Sequence, residues 1–351
     1  MCLDFHWQSF RLVTAFTLVG CLAGSPASAA EYTWTGGGSD ANWTTGDNWG
    51  GAAPAGVNTD TIHMAGATQL VPVVDTNDPW VLNELYFDSG AESFTLSGNT
   101  LRFAGSAGII VRNNSSATQT IENNIIIASS GSRYVYATSG DIAFNGNIDL
   151  TPGSMVFRGG HDVTLNGLIT GTGSLSRTDP GTIYITNDDN TFSGNISISH
   201  GVFEVASIAD AGVACALGKG SAIGLSQGSW GPSDTGTLRY TGSTASTNRT
   251  IEMRSNDFSG GTSTPDEEVP SGRPTLEVTD PAGRPVLPAP QLDGCEPHSR
   301  LAHRLVMAER QLRVTRMRAN GVELFRWQED AEQPSRAVVL RSLARAGRRR
   351  P

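Results

Sequence analysis

Residues 171–205 run GTGSLSRTDPGTIYITNDDNTFSGNISISHGVFEV, and no other stretch limits the fold as tightly. Three short runs, TIYIT at 182–186, NISIS at 195–199 and GVFEV at 201–205, alternate apolar and polar residues. Between them lie turns of Gly, Asn, Asp and Ser. Alternation at period two gives each run one face to bury, and the turns arrive too often for any run to lengthen into a helix or a long strand. Such runs hide their apolar faces only by stacking on similar ones. The stretch therefore predicts an all-β, coil-upon-coil architecture.

The same phrases recur without strict period. FTLSGN at 94–99 is echoed by IAFNGN at 142–147, VTLNG at 163–167 and FSGNI at 192–196. Each joins a strand to a Ser/Asn-Gly turn, where Gly accepts a left-handed or crowded backbone that other residues resist. Echoes with no helical pattern between them predict a solenoid: a right-handed parallel β-helix whose coils stack about 4.8 Å apart. GIIV at 108–111 and III at 125–127 are buried-strand candidates. Asn113-Asn114 and Asn123-Asn124 fall at turns, where asparagine side chains can form ladders from coil to coil.

The succession GTGSL, a Gly-Thr strand, Asn-Thr-aromatic-Ser-Gly and a closing Gly-aliphatic-aromatic strand at 171–205 resembles the autotransporter-associated β-strand repeat of bacterial passenger proteins. The opening YTWTGGGSDANWTTGDNW at 32–49 and the tract ALGKGS, GTLRYTG and NRTIEM at 216–253 are similar to what precedes and follows such repeats. The resemblance implies a secreted β-helix with a structural or adhesive role. It departs from the family in one respect. The sequence has no alternating strands of about ten residues for an outer-membrane barrel, so self-secretion is not expected.

Around this body the chain changes character. LVTAFTLVG at 12–20, with Arg11 before it and SPASAA at 25–30 after it, has the layout of a signal peptide, and residues 1–30 are read as one. Processing at Ala29 or Ala30 competes with a lipobox reading, LVGC at 18–21, which would lipidate Cys21. No later segment is apolar and long enough for a transmembrane helix. Residues 31–259 are the β-helix body, 260–299 a Pro/Gly-rich linker and 300–351 a basic tail. In the tail, Leu301, Leu305, Ala308 and Leu312 are spaced for one helical face ending near Gly321. The tail is thus irregular, a basic amphipathic helix, or unselected sequence at the end of a truncated gene; the abrupt change favours the last.

The body carries 21 acids against eight Arg and Lys219, which disfavours nucleic acid and anionic membrane as partners. Four cysteines without metal-ligand spacing exclude a dense disulfide framework. Trp34, Trp43 and Trp49, set among Gly, Asp and Asn, fit either a carbohydrate-stacking platform or a cap over the open end of the stack. The cap is preferred.

Three fragments hint at a polygalacturonase-like site: Asn58-Thr59-Asp60, Asp188-Asp189 and Ser199-His200-Gly201. Inverting hydrolysis needs its carboxylates about 6.5–9.5 Å apart, whereas Asp60 and Asp188 fall many coils apart. The Arg-x-Lys element is also missing. Asn187-Asp188-Asp189-Asn190 reads better as a turn than as a Ca²⁺ site, and His161 and His200 read as corner residues. The sequence thus predicts an exported, monomeric, non-catalytic structural or adhesive solenoid without cofactor or metal, meeting cell-surface carbohydrate or protein. A polysaccharide-acting or carbohydrate-binding β-helix is the alternative.

Overall fold

The computed structural model describes residues 30–225, 236–243 and 245–253, with the backbone of short strands between 275 and 342. The signal-peptide segment, Cys21, Cys295 and most of the linker lie outside the described residues.

The body is a parallel β-solenoid of about seven turns. Its first face carries Ala30–Trp34, Asp60–Met64, Glu84–Phe87, Ile109–Asn113, Gly131–Ala137, Gly153–Arg158, Leu175–Arg177, Ile196–Ile198, Ala222–Leu225 and Thr250–Met253. A second face runs from Val73–Val74 through Thr95–Gly98 and Gly201–Val205 to Thr275–Val278. A third has five strands, from Trp80–Leu82 to Ile169–Gly171. Beyond Gly171 irregular chain closes that side: Thr191 and Ser193 donate backbone N–H groups to the carbonyls of Ile169 and Gly171, each at 2.9 Å.

Alternation decides what goes inside. Ile62, Leu85, Val111, Val135 and Phe157 stand in register and buried on the first face. Leu96, Ile121, Phe144, Leu165, Ile185 and Val205 do so on the second. Trp80, Leu101, Ile125, Ile148 and Ile169 line the third. Each such side chain gains about 1.5–3 kcal/mol from burial, but only when the neighbouring coil covers it. Stacking and core formation are therefore the same event.

Corners are held differently from faces. A corner N–H has no strand partner, and an Asn or Asp oxygen from the preceding coil supplies one. Asn124 Oδ1 accepts from Asn147 N–H, and Asn147 Oδ1 from Leu168 N–H, both at 2.9 Å. Asp141 Oδ1 accepts from Asp162 N–H at 3.0 Å, and Asp162 Oδ1 from Thr182 N–H at 2.7 Å. The asparagine ladder is thus mainly side chain to backbone, although Asn166 Nδ2 also donates to Asn145 Oδ1 at 2.8 Å. Asn113 and Asn123 are buried and donate to carbonyls instead, Asn113 to Ala117 and Asp141, Asn123 to Asn99.

Of the three readings of the tail, the helical one does not match the described backbone. Within residues 300–318 the described backbone is extended rather than helical. Arg300–Ala302 pairs antiparallel with Thr250–Met253, and Leu305–Ala308 with Gln311–Val314. Leu301, Leu305, Ala308 and Leu312 fit a helical face, but LVMA and QLRV are also short runs containing β-branched valine, which suit strands. Among the described residues no helix is long and apolar enough to cross a membrane.

Candidate functional site

Each tryptophan singled out from the sequence is covered. Trp34, Trp43 and Trp49 are 0%, 1% and 8% exposed. Trp49 stands edge-on to Trp34 and Trp43, with ring centroids 5.1 and 5.3 Å away. Trp43 is edge-on to Trp80 at 4.8 Å. The short 3-10 turn Gly46–Trp49 brings Trp49 over the cluster, and its Nε1 donates to Trp43 O at 2.8 Å. Buried Asn48 ties the preceding loop down, donating to the carbonyls of Asp40 and Asn42 and accepting from Gly38 N–H. The stacking alternative for Trp34, Trp43 and Trp49 does not fit this burial, because no sugar can reach a covered indole face. Trp80, the fourth ring, is one the sequence reading omitted.

The enzyme-like fragments are scattered. Asp60 is buried and accepts from the Gly56 and Val57 N–H groups at 2.9 and 3.2 Å, which makes it a turn anchor. Asp188 and Asp189 sit exposed in a turn where Asn187 Oδ1 accepts from Asp189 N–H at 2.9 Å. Five strand-to-strand steps on the first face separate Asp60 from the coil that carries Asp188. At ~4.8 Å per step that is about 24 Å, too far for a shared water. His161 Nδ1 lies 3.6 Å from Asp141 Oδ1 at an exposed corner. Among the described residues no group of three or more His, Cys, Asp or Glu is placed to hold a metal.

What the coils do bring together is a stripe on the outside of the first face. His63, Tyr86, Arg112, Tyr136 and Arg158 are successive register partners, each half-buried. Alternation puts them there, since each lies next to an inward residue: Ile62, Leu85, Val111, Val135 and Phe157. His63 and Tyr86 stack with centroids 5.1 Å apart. The Arg112 guanidinium carbon is 4.6 Å from the Tyr136 centroid and 6.0 Å from that of Tyr86. That of Arg158 is 4.8 Å from Tyr134 and 5.9 Å from Tyr136. Rings and guanidinium groups thus alternate along the coil axis, each cation–π contact contributing about 0.5–1 kcal/mol when exposed.

Hydrogen bonds fix the N-terminal end of the stripe. Tyr86 donates to Glu84 Oε1 at 2.9 Å, Thr61 donates to Glu84 Oε2 at 3.3 Å, and His63 Nδ1 meets Asp88 Oδ1 at 2.9 Å. At the other end Arg158 Nη1 reaches the Tyr136 hydroxyl at 3.4 Å. The Nε groups of Arg112 and Arg158 are buried without an acceptor. Among the described residues neither guanidinium forms an ion pair with a carboxylate.

Burial first, and then the bond to the Glu84 carboxylate, push the Tyr86 phenol up to about 12, with Arg112 opposing. A raised phenol pKa means that the folded state holds this proton more tightly than the unfolded chain does. The resulting stability is present below pH ~10 and is lost as pH climbs towards 12. Tyr86→Phe should therefore remove one late-titrating component from the tyrosinate absorbance curve and flatten the alkaline loss of stability. Tyr240, also raised by burial, keeps its own late component, so it is an undiminished late amplitude that would contradict this.

The stripe escaped the sequence reading because its members lie at unequal intervals. Only the register of the inward residues shows that they align. Comparison of the chain with known protein families, curated proteins and solved structures finds no match.

Proposed function

We propose that the chain is an exported, monomeric, non-catalytic β-solenoid that acts through its outer surface as a structural or adhesive module. The aromatic–arginine stripe carries this reading. Rings and cations are laid out along the coil axis on a flat, regular support, which suits holding a partner more than transforming one. The resemblance of residues 171–205 to the autotransporter-associated repeat supports the same role, and the signal-peptide and lipobox readings near Cys21 supply the route out of the cell.

Action on polysaccharide is the second reading, favoured by the His161–Asp141 pair on the corner beside the stripe. It is the weaker one. Asp141 and Asp162 each commit Oδ1 to a backbone N–H of the next coil, which ties both carboxylates to holding the corner. A glycan array read together with a reducing-sugar assay on the full chain separates the two. Retention of carbohydrate without new reducing ends is expected. Release of product would make the protein an enzyme.

A further inference from the structure

We infer that the stripe from Tyr86 to Arg158 binds a linear polysaccharide bearing uronic-acid carboxylates, laid along the coil axis; this rests on the adhesive reading above and names its ligand class. Three features converge on it. Tyr86, Tyr134 and Tyr136 are half-buried rings whose faces carry His63, Arg112 and Arg158, so what they offer a sugar is apolar edge beside the cations rather than an open face. Arg112 and Arg158 are held over those rings with no carboxylate of their own. A guanidinium fork matches a planar carboxylate in bidentate fashion. Their Nε groups are already buried and unpaired, so part of the desolvation cost is met before a ligand arrives, and attraction in such surroundings is stronger than in water.

Charge placement selects among polyanions. The body is acidic, but Glu84 and Asp88 at one end of the stripe are engaged by Tyr86, Thr61 and His63, and Asp179 at the other end accepts from Gly159 N–H. At that other end Ser176, Ser197 and Gly224 continue the neighbouring column, that of Tyr134 and Val156. Small side chains there leave room for a ligand that continues. Two arginines are too few for nucleic acid, whose binding needs many phosphate contacts. A polymer with sparse carboxylates and apolar ring faces, repeating along its own axis as the coils repeat along theirs, matches better.

The test is calorimetric titration of the full chain with polygalacturonate, with heparin as a sulfated glycan and with a soluble neutral β-glucan. Polygalacturonate should bind most tightly and weaken with salt. Arg112→Gln and Arg158→Gln should each weaken it roughly ten- to hundredfold. Arg112→Lys and Arg158→Lys, which keep the charge and the packing stem, should fall between, and thermal unfolding of every variant checks that the coil is intact. Neutral glucan binding as tightly, heparin binding in preference, affinity unchanged in a folded Arg112→Gln/Arg158→Gln double variant, or no glycan bound would each overturn the inference. None of these touches the non-catalytic reading, which fails only if reducing ends appear.

Discussion

Arg177→Leu is expected to destabilise the folded body by about 3–5 kcal/mol, although leucine suits the position by size and polarity. Arg177 faces inward on the first face, in register between Phe157 and Ile198, and is 0% exposed. Its Nε donates to Asp179 O at 2.9 Å, and its Nη2 donates to Gly159 O at 2.8 Å, to His161 O at 3.0 Å and to Pro180 O. Two of those carbonyls belong to the corner of the preceding coil and two to its own. One guanidinium therefore clamps two successive corners. Burial pushes its pKa down to about 10, with Asp179 and Asp162 opposing, so it stays charged at neutral pH. Leucine would restore the apolar column but strand the carbonyls, each costing about 1–3 kcal/mol if left unpaired.

Thermal unfolding followed by β-sheet ellipticity should fall by roughly 8–16 °C in Arg177→Leu. Arg177→Lys, with a single ammonium unable to span four acceptors, should fall in between. A leucine variant that melts within a degree or two of the parent would mean that water satisfies the corner and the clamp is dispensable. The device recurs. Arg249, also buried, donates from Nε to Ala209 O at 2.9 Å and from Nη1 and Nη2 to Gly220 O and Gly218 O, both at 2.6 Å. Both arginines follow the last strand of the third sheet, where irregular corners leave carbonyls that no neighbouring strand can pair.

These arginines mark where sequence reading stops. The alternation of TIYIT and NISIS, with their turn residues, is enough to predict short strands and stacking, because period and punctuation are local. Register is not local. Phe157 is followed by Arg177 and then by Ile198 at similar spacings, yet the step from Ile198 to Leu225 is longer, since its loop folds over the side that lacks a third sheet. Without register, Tyr86, Arg112, Tyr136 and Arg158 are unrelated surface residues. With it they form one line. Arg177 breaks the polar-out rule at a place only tertiary structure justifies. Trp34, Trp43 and Trp49 were legible as a group, but a platform and a cap need the same aromatic composition, and burial alone separates them. The spacing of Leu301, Leu305, Ala308 and Leu312 misled, because short apolar runs satisfy helical and strand templates alike.

Gly194→Ala is expected to cost about 2–4 kcal/mol for the addition of one methyl group. A Cβ on Gly194 would stand inside van der Waals contact with the carbonyl of Gly173 and 2.6 Å from the N of Ser174. Gly173 in turn crowds the carbonyl of Gly153, and Gly220 that of Gly194. These four glycines form a column up the corner that leads into the first face. Their role is close approach of coil to coil. Among the Ser/Asn-Gly turns, Gly98 has a φ of +96°, whereas Gly146, Gly167 and Gly194 lie outside the left-handed range and are explained by crowding alone.

Backbone on both sides of the column cannot rotate away as a side chain could. The methyl can be admitted only by prising the coils apart, which stretches the ladder joining Leu175–Arg177 to Ile196–Ile198. Gly160→Ala is the matched control, since a Cβ there meets nothing within 4 Å and its φ is unexceptional. That substitution should be neutral or stabilise by up to about 1 kcal/mol through the unfolded chain. Denaturant unfolding of the two variants should therefore move their midpoints apart. Equal midpoints would show that the corner yields without cost and that the coils are not held at contact distance by their glycines.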